Sequence, residues 1–75
     1  FNSLLLNKND AAVGQTLDEG KLAEVSVEVN SVRRHSVEGS RPAGNMVLRA
    51  GDVLMLLGEP AALAEAEKRL RGDSV

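Results

Sequence analysis

The sequence predicts an α+β fold: a small, mainly antiparallel sheet of three to four strands, with a short helix near residues 16–24 and a C-terminal helix near 60–71. Three observations lead there. Val25, Val27 and Val29 alternate with polar residues at period two, the pattern of a half-buried strand. Val53-Leu54-Met55-Leu56-Leu57 is an unbroken apolar run stopped by Gly58, as expected of a central strand covered on both faces. Pro60 opens a stretch to Arg71 that is rich in strong helix formers. Strands and helices do not alternate regularly, which favours α+β over a doubly wound sheet.

Each element has its own local cause. Leu4, Leu5 and Leu6 within Phe1 to Leu6 fit a short first strand, bounded by the polar run Asn7-Lys8-Asn9-Asp10. Thr16 and Glu19 have the spacing of a capping box, and Asp18 and Glu19 suit the first turn of a helix. Gly20 weakens that helix by about 1 kcal/mol relative to Ala. The valine strand from Val25 runs on through Val32 into Arg33 and Arg34, and its alternation slips by one near Asn30 and Ser31, where a bulge is expected. Glu38 to Asn45 is dense in turn formers. Met46, Val47 and Leu48 fit either a brief strand or a 3₁₀ turn. Gly51, before Asp52, marks a turn that needs positive φ. In the last helix Pro60 suits the first position, Leu63, Ala66 and Leu70 form an apolar stripe, Glu65 stands at i,i+4 to Arg69, and Gly72 is the stop.

Composition narrows the function. Seventy-five residues make one small domain, 1–75, and such a chain buries only about 60% of the surface it exposes when unfolded. The hydrophobic 43% contains one Phe and no Tyr or Trp, and cysteine is absent. Disulfide staples, thiolate catalysis and Cys-based zinc sites are therefore excluded. An aliphatic core this small is commonly completed by oligomerisation, so a homodimer is expected. A net charge of −2 gives no electrostatic ground for a nucleic-acid polymer as partner, and single-strand stacking platforms are missing. No apolar run approaches the roughly 20 residues of a membrane span. No N-terminal segment has the pattern of a secretory signal. The first residue is Phe rather than Met, so the chain reads as a piece of a longer protein.

The catalytic inventory is thin, and no enzyme is expected. His35 is the single histidine; its neighbour Ser36 would point to the opposite face of a strand, and His35 reads as an exposed polar residue at a strand end. Asp18, Glu19, Glu24 and Glu28 lack the tight convergence of a hard-cation loop, so no metal site is expected. Gly14 and Gly20 do not form a phosphate loop. Arg33, Arg34, His35, Arg41 and Arg49 gather in one third of the chain. Arginine forks suit an anionic small ligand, particularly at a subunit interface. The same side chains also suit pairing with the acidic stretch or a solvated face.

The order of motifs carries a resemblance. Val13-Gly14-Gln15-Thr16-Leu17, a valine strand ending in Val32-Arg33-Arg34, then Pro42, then Gly51-Asp52-Val53-Leu54-Met55-Leu56-Leu57-Gly58 and a final helix together resemble the TrkA-C domain, also called RCK-C. The likeness covers nearly the whole chain. It implies an antiparallel α+β domain that forms homodimers. Such domains sit at the cytoplasmic end of potassium channels, Trk/Ktr uptake systems and cation:proton antiporters. The expected function is regulation and dimerisation of a potassium or other monovalent-cation transport protein at the cytoplasmic face of the cell membrane. The alternative is an adaptor that binds no ligand and only holds transporter subunits together. Some members bind a cyclic dinucleotide or a divalent cation at the dimer interface, and no cofactor of this chain follows from that. In members that bind cyclic di-AMP the matching positions are Val32, Arg33, Arg34 and Pro42. This chain departs from them by a longer Gly/Ser-rich stretch before Pro42 and by His35 after the second arginine.

Overall fold

The computed structural model describes residues 2–35, 37–40 and 42–72. Four strands form one sheet in the order β1-β4-β2-β3: β1 (Asn2–Leu5), β2 (Glu28–Arg34), β3 (Val37–Ser40) and β4 (Val53–Leu57). Every neighbouring pair is antiparallel. β4 lies inside the sheet, between β1 and β2, as its apolar run requires. The expected bulge is present: pairing of β2 with β4 shifts between Val29 and Ser31, so Asn30 is the extra residue.

One face of the sheet carries the core. Leu54 and Leu56 of β4, Leu4 of β1 and Val32 of β2 are buried on it, together with Leu6, Leu22, Leu48, Ala66 and Leu70. Helix α2 (Pro60–Arg71) supplies Ala66 and Leu70 and has the predicted boundaries. Pro60 opens it, and Gly72 at φ 82 closes it by donating its N–H to the Lys68 carbonyl. Arg69 does not pair with Glu65. It reaches across to Glu24 at 3.0 Å and to the Lys21 carbonyl at 3.2 Å, tying α2 to the segment before β2. Arg71 ties the same helix to the loop after β1 through Asp10 at 2.8 Å.

Five expectations need correction. The helix expected over 16–24 is two short pieces: α1 (Leu17–Gly20), opened by the complete Thr16/Glu19 capping box, and a 3₁₀ turn over Leu22–Val25. Lys21 at φ 50 separates them, and Leu22, directly after the break, is buried in the core. The valine strand therefore begins at Glu28, not Val25. Ser26 at φ 62 ends the 3₁₀ turn, and Val27 is buried just ahead of the strand. Residues 38–40, expected within a turn, belong to β3, because pairing with β2 overrides their weak local preference. His35, directly after β2, has φ 52, and Ser36 lies outside the described residues. Finally, β4 is covered on one face only within a protomer: Leu54 and Leu56 are fully buried, whereas Val53, Met55 and Leu57 stay half-exposed. Met46 to Leu48 is neither of the forms weighed. It is an extended segment in which Val47 makes a single bridge to Thr16.

Candidate functional site

The site grows from the turn that precedes β4. Arg49 accepts the Asp52 N–H at its carbonyl (3.1 Å), and Gly51 takes φ 92 at the third position, as a type II turn demands. Leu6 fixes the turn to β1 from both sides: its carbonyl accepts the Gly51 N–H at 2.8 Å and its N–H donates to the Asp52 carbonyl at 2.9 Å. The result buries the Asp52 carboxylate to 1% exposure, at the end of β2. A charge so placed needs partners. Arg34 Nε donates to Oδ1 at 2.8 Å and Nη2 to Oδ2 at 2.7 Å, a two-pronged pair, while the Arg49 backbone N–H donates to Oδ2 at 2.9 Å. Arg34 Nη2 also donates to the Val47 carbonyl at 2.9 Å, which draws the 46–48 segment against β2.

These bonds set the electrostatics. The Arg34 guanidinium, and then the Arg49 N–H, hold the Asp52 carboxyl below its ordinary 3.8, against the opposing effect of burial. The same hydrogen bond raises Arg34 above its ordinary value. Asp52 is the buried residue that sequence reasoning did not single out. Its signal was the Gly51-Asp52 pair ahead of an apolar strand, which marks a turn but not what its carboxylate meets.

Around this pair lies an open cleft of about 370 Å³, lined by Arg33, Arg34, His35, Arg49, Asp52 and the adjoining turn. Of the basic group, the fold thus brings together Arg33, Arg34, His35 and Arg49; Arg41 lies outside the described residues. The four positions expected to contact a ligand are spread out. Arg33 and Arg34 line this cleft, Val32 faces the core at 3% exposure, and Pro42 lines a second cleft of about 280 Å³ with Lys21, Leu22 and Val29. Among the described residues, no three His, Cys, Asp or Glu side chains converge as a metal site would need. No described helix is long and apolar enough to cross a membrane.

Comparison with known proteins gives the fold a family. The sequence profile of the TrkA-C domain matches residues 3–71. No curated protein matches the sequence. Among solved structures, the chain is similar to the RCK_C domain dimer of S. agalactiae BusR in complex with c-di-AMP, with a TM-score of 0.79 and 12% identity over 95% of this chain and 88% of that one. It is similar to the RCK C domain of the potassium transport protein KtrA in complex with c-di-AMP, with a TM-score of 0.76 and 22% identity over 89% and 80%. It also matches S. agalactiae BusR in complex with its busAB-promotor DNA at a TM-score of 0.79 and 12% identity, where it covers 95% of itself but only 35% of that longer chain. At these identities the likeness is one of fold. A domain of this fold thus occurs in a DNA-bound protein, and the exclusion of nucleic acid drawn from charge is not carried to any larger protein. With its profile matched from one end of the sheet to the end of α2, the chain belongs to the TrkA-C (RCK-C) domain family, a regulatory and non-catalytic family.

Proposed function

We propose that the chain is a homodimeric regulatory module of a potassium or other monovalent-cation transport protein, working at the cytoplasmic face of the membrane. The observation that carries this reading is the family match over residues 3–71 in a protomer whose central strand keeps one apolar face half-exposed. Val53, Met55 and Leu57, with Leu5 at 51% exposure beside them, form a surface that a second copy covers. An anionic effector, of the cyclic dinucleotide class recorded with the KtrA and BusR relatives, binds where the dimer gathers the clefts of its protomers. Arg33 and Arg34 offer guanidinium contacts, Pro42 an apolar one, and Val32 anchors the strand that presents them. The effector acts by binding one dimer arrangement better than another, and its differential affinity is the work available to the attached transport domain.

Sedimentation equilibrium and thermal unfolding with cyclic di-AMP test this reading. A dimer at micromolar concentration is expected. Ligand at about 100 times its Kd adds about 2.7 kcal/mol, a rise in Tm on the order of 10 °C for a chain of this size. A strict monomer overturns the proposal. A dimer whose Tm ignores the nucleotide leaves the adaptor, which joins subunits and senses nothing.

A further inference from the structure

We propose that the cleft between the β2–β3 hairpin and the Arg49–Asp52 turn is a binding subsite for an oxyanion of the phosphate class, gripped by the side chains of Arg49 and His35 with Arg33 at the rim. The inference rests on a cleft that the regulatory reading also uses through Arg33 and Arg34, and it adds two residues to it. Arg49 and His35 are not among the positions to which the family resemblance points, and Pro42, which is, lines a different cleft.

Charge is the first ground. Three arginines and one aspartate line the cleft, so its described side chains carry two more positive charges than negative with His35 neutral. Asp52 draws on the charges of both Arg34 and Arg49, but its oxygens do not face an incoming anion. It is 1% exposed, and both of its oxygens are taken by Arg34 and the Arg49 N–H.

The second ground is that the Arg49 guanidinium makes no hydrogen bond or ion pair among the described residues. Arg34 is bound to Asp52, Arg69 to Glu24, and Arg71 to Asp10 and Glu67. Arg33 has a partner as well. Among the described arginines, Arg49 alone has a guanidinium without hydrogen bond or ion pair, and it is exposed in a chain with 11 acidic and 9 basic residues. The imidazole of His35 is likewise exposed and unpaired among the described residues.

Geometry supplies the third. The backbone of Arg49 is held at both ends, its N–H on the Asp52 carboxylate and its carbonyl on the Asp52 N–H, so the root of the side chain is fixed before any ligand arrives. A volume of about 370 Å³ exceeds what one phosphate fills and accommodates a diphosphate. The polar side chains that line it are chiefly guanidinium and imidazole groups, hydrogen-bond donors suited to an oxyanion.

The test is an amide-resolved NMR titration of the 75-residue chain with inorganic pyrophosphate at fixed ionic strength. Saturable shifts confined to residues 33–35 and 49–53 are expected. Arg49→Ala should weaken binding at least tenfold, the effect of one charged hydrogen-bonding group. His35→Asn, which tolerates the positive φ, should weaken it severalfold. Lys68→Ala, which removes the same formal charge from α2, should change it less than twofold. Shifts scattered over the surface, no saturation, or equal losses in Arg49→Ala and Lys68→Ala would overturn the proposal. The wild-type shift map stands even if a variant fails to fold. Pyrophosphate reads the cleft, whereas cyclic di-AMP and oligomeric state read the regulatory function, so either can fail alone.

Discussion

Asp52 and Arg34 show what a single pair of residues contributes to this domain. The carboxylate sits at the start of β4 with no exposure to solvent to speak of, and two guanidinium bonds and one backbone N–H take its place in water. Asp52→Asn keeps the shape and removes the charge, leaving Arg34 half-buried opposite a neutral amide. The expected loss is about 3 kcal/mol, read as a lower urea midpoint. The pH dependence has a definite sign. Folded Asp52 titrates below 3.8, so the unfolded chain takes up a proton that the folded chain still refuses. The pair therefore stabilises fully above the ordinary carboxyl range, and that stability is lost as pH falls through the depressed folded value. Wild type should weaken more steeply than Asp52→Asn below about pH 4; equal acid limbs would contradict the assignment. Arg34 was legible as a basic residue at a strand end, but its engagement was not, because a buried carboxylate looks like any other in sequence.

Elements differ in how much of them is local. Helix α2 was readable to its ends because its causes lie within it: Pro60 at the first position, Gly72 at the stop and an apolar stripe between. The turn before β4 is equally local. Gly51 sits at φ 92 with open space where a Cβ would stand, so Gly51→Ala tests backbone strain without a clash. A loss of about 1–2 kcal/mol is expected in chemical denaturation. An unchanged midpoint would show that the turn relaxes. Strand β3 was not readable. The sequence ahead of it, His35-Ser36, lacks the Asn-Gly or Asp-Gly signature of a two-residue hairpin, and its four residues gain strand structure only from pairing with β2. The helix expected over 16–24 formed its capping box but breaks at Lys21, which takes the left-handed region, and Leu22 just beyond it is buried.

At the scale of the molecule, the two faces of β4 divide stability from association. Leu54 has no exposure, and Leu54→Ala should cost about 2–5 kcal/mol of folding stability, measured by urea denaturation. Its neighbour Met55 points to the opposite, half-exposed face. Met55→Glu should leave the circular dichroism spectrum native and give a monomer at concentrations where wild type is a dimer. A variant that stays dimeric would move the seam to another surface. The sequence by itself determined the fold class, the central position of β4, the bulge in β2 and the last helix, because period, propensity and punctuation act over a few neighbouring residues. Only the tertiary structure decided that one face of β4 stays open, that Arg34 is hydrogen-bonded to Asp52 while the Arg49 guanidinium is not, and that Pro42 stands in a separate cleft. Those outcomes depend on which distant residues meet, and no local pattern encodes a partner 18 positions away, as Asp52 is from Arg34.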